Sequence, residues 1–341
     1  MKTFFVTGGA GFIGSCFVRV LLEEFDDCRI VNFDALTYAG NPDNLEGLDP
    51  ERHRFVCGNI GDPAAVLKNL DENTDVLINF AAESHVDRSI TSAAEFLHTN
   101  IVGTQVLLDA ARAKQVKRFV QISTDEVMGS LPETDDSFFN EQSAFAPNSP
   151  YAASKAAAEH LVRAAHHTFG LDTIITRCGN NYGPRQFPEK FLPLAIANAL
   201  NDESIPIYGD GMNVRDWIYV EDHCRAIVAA MQNGRAGGVY NIGARNERRN
   251  IEVAESLLNE LGKPRSLIKF VKDRLGHDRR YAIDPSLVEA ELGWRPRETW
   301  ASGLKKTIDW YQQNGPWIEK VRGGAYRDYY KSQYGTEVTA D

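Results

Sequence analysis

The chain has 341 residues, long enough for one large domain or two ordinary ones and for a sizeable core. With 43% apolar and 25% charged residues it has the composition of a soluble globular protein. Its formal net charge of -10 disfavours a broad basic surface for nucleic acid, so an anionic ligand must be met by local basic residues.

Thr3-Phe4-Phe5-Val6 is a short β-type run. The loop Thr7-Gly8-Gly9-Ala10-Gly11-Phe12-Ile13-Gly14 follows, then Phe17, Val18, Val20, Leu21 and Leu22 at helical spacing. Strand, glycine loop and helix in this order cradle a pyrophosphate: the glycines admit the backbone, and the helix start offers free N–H groups. A second strand, Arg29-Ile30-Val31-Asn32-Phe33, ends at Asp34, 20 residues after Gly14. A carboxylate there accepts hydrogen bonds from ribose hydroxyls and repels a 2′-phosphate, which favours NAD over NADP. The other reading of Asp34 is a helix or turn cap.

Tyr38-Ala39-Gly40-Asn41-Pro42-Asp43-Asn44 is rich in turn residues. The third strand, Arg54-Phe55-Val56-Cys57, ends near Asn59, which either contacts adenine or holds the turn. The fourth, Asp75-Val76-Leu77-Ile78-Asn79-Phe80, ends in Ala81-Ala82-Glu83-Ser84-His85. Small residues at a strand end let a cofactor come close. His85 reads as an acid, a base, a substrate contact or a structural histidine. Residues 93–114 have an apolar pattern that predicts a helix.

Phe119-Val120-Gln121-Ile122 is the fifth strand, and Ser123-Thr124-Asp125-Glu126 stand at its end. Ligands of an open α/β sheet bind beyond the carboxyl ends of its strands. Two carboxyls there do proton chemistry if their environments separate their pKa values. Neighbours on a regular strand face opposite ways, so both can serve one substrate only if the backbone turns after Thr124. A polar strand end with two solvated acids is the bland alternative.

Residues 130–148 read as a polar loop, a lid or a surface excursion. Tyr151-Ala152-Ala153-Ser154-Lys155 opens an Ala-rich run that predicts a helix to Phe169. Tyr151 and Lys155 then share one helix face. An ammonium beside the phenol would lower its pKa and make Tyr151 a usable base. A sixth strand ends at Cys178, and Gly179 to Arg185 breaks the βα rhythm. Phe191 to Leu200 reads as a helix and Ile205-Pro206-Ile207-Tyr208 as extended. The basic stretch from Lys272 to Arg280, with Lys190 and Arg215, either binds a diphosphate or makes surface salt bridges. The tail from Arg322 is expected to fray.

The alternation predicts an α/β fold: a Rossmann-type doubly wound parallel sheet with a smaller C-terminal α+β substrate domain. The expected division is 1–180 for the dinucleotide domain and 181–341 for the sugar domain, with some chain crossing. Cys16, Cys28, Cys57, Cys178 and Cys224 are scattered and show no C-x-x-C pair, the pattern of ordinary buried thiols in a reducing cytosol. No metal-ligand spacing, secretory signal or membrane-spanning run is present, so a cytoplasmic protein without a metal site is expected.

Together, Thr7 to Gly14, Tyr151-x-x-x-Lys155 and Ser123-Thr124-Asp125-Glu126-Val127 resemble the extended short-chain dehydrogenase/reductases that act on nucleotide sugars. Within that class the chain is most similar to the dTDP-glucose 4,6-dehydratases. The likeness extends through Ala81 to Ile90, Asn180-Asn181-Tyr182-Gly183-Pro184, Pro188-Glu189-Lys190, Arg215-Asp216-Trp217, Tyr240-Asn241-Ile242-Gly243 and Asp273 to Ile283. Three positions depart from the pattern: Met128 for the usual Tyr, Asn59 for a common Asp and Leu275 for a common Pro.

The resemblance implies a hydro-lyase acting through tightly bound, regenerated NAD. C4 of the hexose is oxidised, water is lost across C5–C6, and hydride returns to C6. Thr124, Asp125, Glu126, Tyr151 and Lys155 are then the catalytic group: Tyr151 takes the C4 hydroxyl proton, Glu126 the C5 proton, and Asp125 protonates the leaving C6 hydroxyl. The cofactor would lie against Gly8, Gly11, Phe12, Ile13 and Gly14, then Asp34, Ala35, Leu36 and Thr37. Asn59, Ile60, Ala81, Ala82, Ser84, Thr99 and Asn181 complete its contacts, with Tyr151 and Lys155. The nucleotide sugar would meet Ser84, His85, Thr124, Asn180, Lys190 and Phe191. Beyond these come Pro206, Ile207, Tyr208, Arg215, Asn250, Asp273, Arg274 and His277. A homodimer joined through residues 93–114 and 152–169 is also implied. The alternatives are a UDP-glucose 4,6-dehydratase, a nucleotide-sugar 4-epimerase, and a non-catalytic NAD-binding regulator.

Overall fold

Six apolar runs of the sequence become neighbours in one parallel sheet: β1 (Lys2–Thr7), β2 (Cys28–Asp34), β3 (His53–Cys57), β4 (Val76–Asn79), β5 (Arg118–Thr124) and β6 (Thr173–Cys178). A computed structural model describes residues 1–133 and 136–323. Most of the expected tail, residues 324–341, lies outside them.

Strands β4, β5 and β6 are buried on both faces, which is why they read as near-continuous apolar runs. Side chains alternate across the sheet. Phe4, Val6, Ile78 and Val120 meet helices Phe12–Glu24 and Val220–Asn233 on one face. Phe5, Leu77, Phe119 and Ile175 meet helices Thr104–Ala113 and Pro150–Phe169 on the other.

The remaining strands are β7 (Asn180–Tyr182), β8 (Ile205–Tyr208), β9 (Val214–Tyr219), β10 (Gly238–Ile242), β11 (Glu247–Arg249) and β12 (Ile268–Val271). The large sheet has the order β10-β6-β5-β4-β1-β2-β3. Its seventh strand, β10, therefore comes from residues 238–242, a stretch to which the sequence assigns no strand. β7, β9 and β11 form a three-stranded sheet, and β8 pairs with β12. These carry a second core around Tyr182, Leu192, Ile196, Trp217, Trp300 and Tyr311. Strand order reverses between β1 and β4, and a crevice opens at such a reversal.

Two helices shape that crevice. Helix Pro150–Phe169 starts where Ser149 accepts from the Ala152 N–H at 3.1 Å, carries Pro150 in its first turn and ends at a left-handed Gly170. The helix expected over 93–114 forms, but it is not α-helical throughout. A π turn over Leu97–Gly103 separates helix Ala94–Phe96 from helix Thr104–Ala113. The π turn turns Asn100 inward, where it accepts from Glu83 N–H and donates to Glu83 C=O and Ser154 Oγ. This ties the loop after β4 to the helix that carries Tyr151 and Lys155.

Candidate active site

One cleft runs across the carboxyl ends of β1, β2, β4, β5 and β6 and continues to β8 and β9. It is lined by all of the proposed site residues except Leu36 and Asp273. Leu36 instead donates its N–H to Asp34 Oδ1 at 2.8 Å. Asp273, exposed to solvent, accepts from the Arg274 N–H and pairs with His277 Nδ1 at 2.6 Å.

At the β1 end, Gly8 has φ +67°, and an added Cβ there would sit 2.6 Å from the Ala81 nitrogen. A side chain would fill the cradle. The helix beginning at Phe12 has no side-chain cap and no acidic residue in its first turn, so its free N–H groups suit a pyrophosphate. Asp34 does serve as a turn cap, since its two oxygens accept from Ala10 N–H and Leu36 N–H. Each carboxylate oxygen has a second lone pair, so the cap leaves room for ribose hydroxyls. Asn59 likewise holds the turn, accepting from Gly61 N–H at 2.8 Å, while lining the cleft. These residues fit a dinucleotide.

The strand β5 ends at Thr124 and the chain enters a 3₁₀ turn, Asp125–Met128, with the Thr124 hydroxyl accepting from Glu126 N–H. This is the turn that two carboxyls need in order to serve one substrate. Gly129 closes it at φ +82°, where a Cβ would sit 2.4 Å from the Ala146 carbonyl oxygen. Asp125 is buried, and its Oδ2 has no hydrogen-bond partner among the described residues. Burial, and then the neighbouring Glu126, hold its pKa well above the usual carboxylate range. Glu126 is half-buried; burial raises its pKa, and Arg274, Lys190 and Arg215 oppose the rise. One acid is thus kept protonated more strongly than the other.

Tyr151 lies beside this turn with its phenol near the Thr124 hydroxyl, which itself donates to Asp125 Oδ1 at 3.2 Å. Lys155 does not have the expected effect on it. Its ammonium donates to the Ile122 carbonyl at 2.6 Å, and burial lowers its pKa to about 8. The Tyr151 pKa is pushed well above the ordinary phenol value, by burial first and then by Glu126, Cys178 and Asp125. Burial, reinforced by two nearby carboxyls, outweighs an ammonium turned towards the strand.

Beneath the turn, Ser123 Oγ donates to Glu159 Oε1 at 2.5 Å, and Glu159 forms a buried ion pair with Arg177 at 2.8 Å. Met128 faces this layer, packing with Val127, Phe139, Ala156 and Tyr281, so its difference from the family pattern falls outside the cleft wall.

The basic stretch divides. Arg279 pairs with Asp210 and Glu133 in surface salt bridges, and the buried Arg280 pairs with Glu247 at 3.0 Å. Arg274 and His277 line the cleft with Lys190 and Arg215. Burial and the two arginines push His277 down to about 4, so it serves as a neutral ring at pH 7. His85 is also neutral, its pKa lowered far below normal by burial and then by Lys190. The sequence reading missed Glu189 and Tyr281 as cleft residues. Burial pushes Glu189 up to about 7, and Tyr281 donates to Asp278 Oδ2 at 2.5 Å. Both sit in stretches that resemble the family, which was the available signal.

Fold and cleft define a dinucleotide-dependent enzyme of the extended short-chain dehydrogenase/reductase class. The family model described as GDP-mannose 4,6 dehydratase matches residues 5–307, and the chain belongs to that family. The dTDP-glucose 4,6-dehydratase of Xanthomonas campestris pv. campestris (strain B100) is 51% identical, over 96% of this chain and 98% of its own. The dTDP-glucose 4,6-dehydratase 1 of Escherichia coli (strain K12) is 48% identical over the same shares. The solved structure of DesIV, a dTDP-glucose 4,6-dehydratase from Streptomyces venezuelae with NAD and dTDP bound, superposes with a TM-score of 0.91 at 48% identity. It covers 94% of this chain and 100% of DesIV.

Proposed function

We propose that this chain converts dTDP-glucose to dTDP-4-keto-6-deoxyglucose with NAD held in the cleft. The observation that carries the reading is the turn after β5, which sets a protonated Asp125 and a more readily ionised Glu126 beside Tyr151. An epimerase needs no such pair.

Bound in the cleft, NAD would supply the hydride acceptor for C4 and the hydride donor for C6, and its oxidised ring a positive charge that favours a phenolate nearby. Tyr151 receives the C4 hydroxyl proton, and Thr124 holds the oxygen through its hydroxyl. The C5 hydrogen becomes acidic once C4 is a ketone. Glu126 then removes it, and Asp125 gives its proton to the departing C6 hydroxyl, so water leaves. Each positioned acid or base contributes roughly 10²–10⁴ in rate. Lys190, Arg215 and Arg274 supply the local cations for the diphosphate, remote from the reacting carbons. Binding energy there holds the hexose through both transfers. The names of the relatives favour thymine over uracil as the base.

We also infer a cytoplasmic homodimer. Leu97 and Val102, each 46% exposed, lie on one of the two helical segments assigned to that contact. No helix of the described residues is long and apolar enough to cross a membrane.

The test is NMR of the product formed from dTDP-glucose, and in parallel from UDP-glucose, in deuterated water. The expected product is the 4-keto-6-deoxy sugar with deuterium at C5, formed preferentially from dTDP-glucose. A C4 epimer, or unchanged sugar, contradicts the reading.

A further inference from the structure

The turn-rich stretch after β2 takes no part in the proposed chemistry, yet one of its side chains meets the opposite half of the chain. The loop curls back on the end of β2. Gly40 N–H donates to the Thr37 carbonyl and Asn41 N–H to the Ala10 carbonyl, each at 3.1 Å, and a Cβ added at Gly40 would sit 2.9 Å from Asp34 Oδ1. Thr37, Ala39 and Gly40 line the cleft beside the carboxylate that suits ribose hydroxyls. The Tyr38 ring between them is half-buried, with the Arg88 guanidinium 4.0 Å over its face and the Phe187 ring edge-on at 6.0 Å and 81°. Phe187 belongs to the stretch between β7 and helix Phe191–Leu200, in the half of the chain that carries Lys190 and Arg215. Arg88 stands in helix Val86–Thr91 after β4, and its Nε lies 3.4 Å from Glu189 Oε2. The guanidinium is thus held between a ring and a carboxyl side chain only 1% exposed. The same two segments are joined twice more. Lys190 Nζ donates to the Ser84 carbonyl at 2.7 Å, and His85 Nε2 lies 3.4 Å from the Glu189 carbonyl oxygen. Residues 84–88 and 187–190 therefore form one block, and the Tyr38 ring fastens the Asp34 loop to it. A guanidinium over an aromatic face and an edge-to-face ring pair are both attractive.

We propose, on the reading of the cleft as a dinucleotide and nucleotide-sugar site, that Tyr38 is a positioning residue: its ring clasps the Asp34 loop to the sugar-binding half, so that NAD is held from one turnover to the next. The proposed reaction restores NAD in each cycle. Exchange of the cofactor then serves no step, and a cleft whose walls are joined suits the chemistry. For the ribose end to leave, the Asp34 loop must part from the block formed by residues 84–88 and 187–190. Parting breaks the contacts of Tyr38 with Arg88 and Phe187. Both are made by the ring, so Tyr38→Phe keeps them, whereas Tyr38→Leu keeps apolar bulk and loses the aromatic face.

The test loads the full chain with radiolabelled NAD, removes the excess on a desalting column and chases with unlabelled NAD, following the bound label by filter binding. Tyr38→Leu is expected to release the label about tenfold faster than the unsubstituted chain. Tyr38→Phe is expected to keep the slow release. Phe187→Leu, which removes a contact from the other side, should also speed release, and combined with Tyr38→Leu it should give less than the product of the two effects. Release from Tyr38→Leu at the unsubstituted rate overturns the clasp, as does Tyr38→Phe releasing as fast as Tyr38→Leu. An unsubstituted chain that carries no label off the column overturns the dinucleotide reading, and the clasp with it.

Discussion

Lys155 Nζ donates to the Ile122 carbonyl oxygen at 2.6 Å, which fastens the first turns of helix Pro150–Phe169 to the end of β5. The same ammonium was expected to face the Tyr151 phenol. It therefore has a positioning task besides any electrostatic one.

Lys155→Met keeps the length of the side chain and removes both the charge and this bond. The rate of C4 oxidation, measured by rapid quench and analysis of the sugar, is expected to fall by roughly 10² or more. A variant with unchanged circular dichroism and undiminished oxidation would leave Lys155 without a role.

Glu126 must be ionised to remove a proton, so kcat is lost as pH falls through its pKa. Burial raises that pKa, and Arg274 is the foremost cation opposing the rise. Removing a facing cation disfavours the carboxylate. Arg274→Met is thus expected to move the acid limb of the kcat profile, at saturating substrate, to higher pH. KM should rise as well, because a diphosphate contact is lost. A raised KM with an unmoved limb would confine Arg274 to binding.

Arg177 and Glu159 are paired with side chains only 4% and 2% exposed. Arg177→Met leaves Glu159 buried without a counter-charge, which costs roughly 3–5 kcal/mol. Urea unfolding should register the loss as a lower midpoint. Because Glu159 also accepts from Ser123, catalysis should weaken in the folded variant.

Gly129→Ala forces a Cβ against the Ala146 carbonyl at a positive φ. Strain of this kind costs on the order of 1–3 kcal/mol. The turn carrying Asp125 and Glu126 must shift to relieve it. The expected kinetic signature is a reduced kcat with KM for the nucleotide sugar nearly unchanged.

Much of this arrangement was legible in the sequence because it is local. Apolar runs gave six strands of the large sheet, the glycine loop marked the dinucleotide end, and Tyr151 with Lys155 marked one helix face. What escaped depends on distant contacts. Strand β10 enters the large sheet from the far half of the chain, and only its pairing with β6 places it there. The π turn at Leu97–Gly103 follows from bonds that Asn100 makes to Glu83 and Ser154, which no helical periodicity announces. The basic stretch reads as one patch, yet Asp210, Glu133 and Glu247 claim Arg279 and Arg280, leaving Arg274 to the cleft.

Glu126 is the base from which the proposed water loss starts. Glu126→Gln, given one equivalent of dTDP-glucose and quenched within a turnover, tests it most directly. The predicted result is a 4-keto sugar that still bears its C6 hydroxyl, with little 6-deoxy product. A 4-keto-6-deoxy sugar formed at the rate of the unsubstituted chain would contradict it.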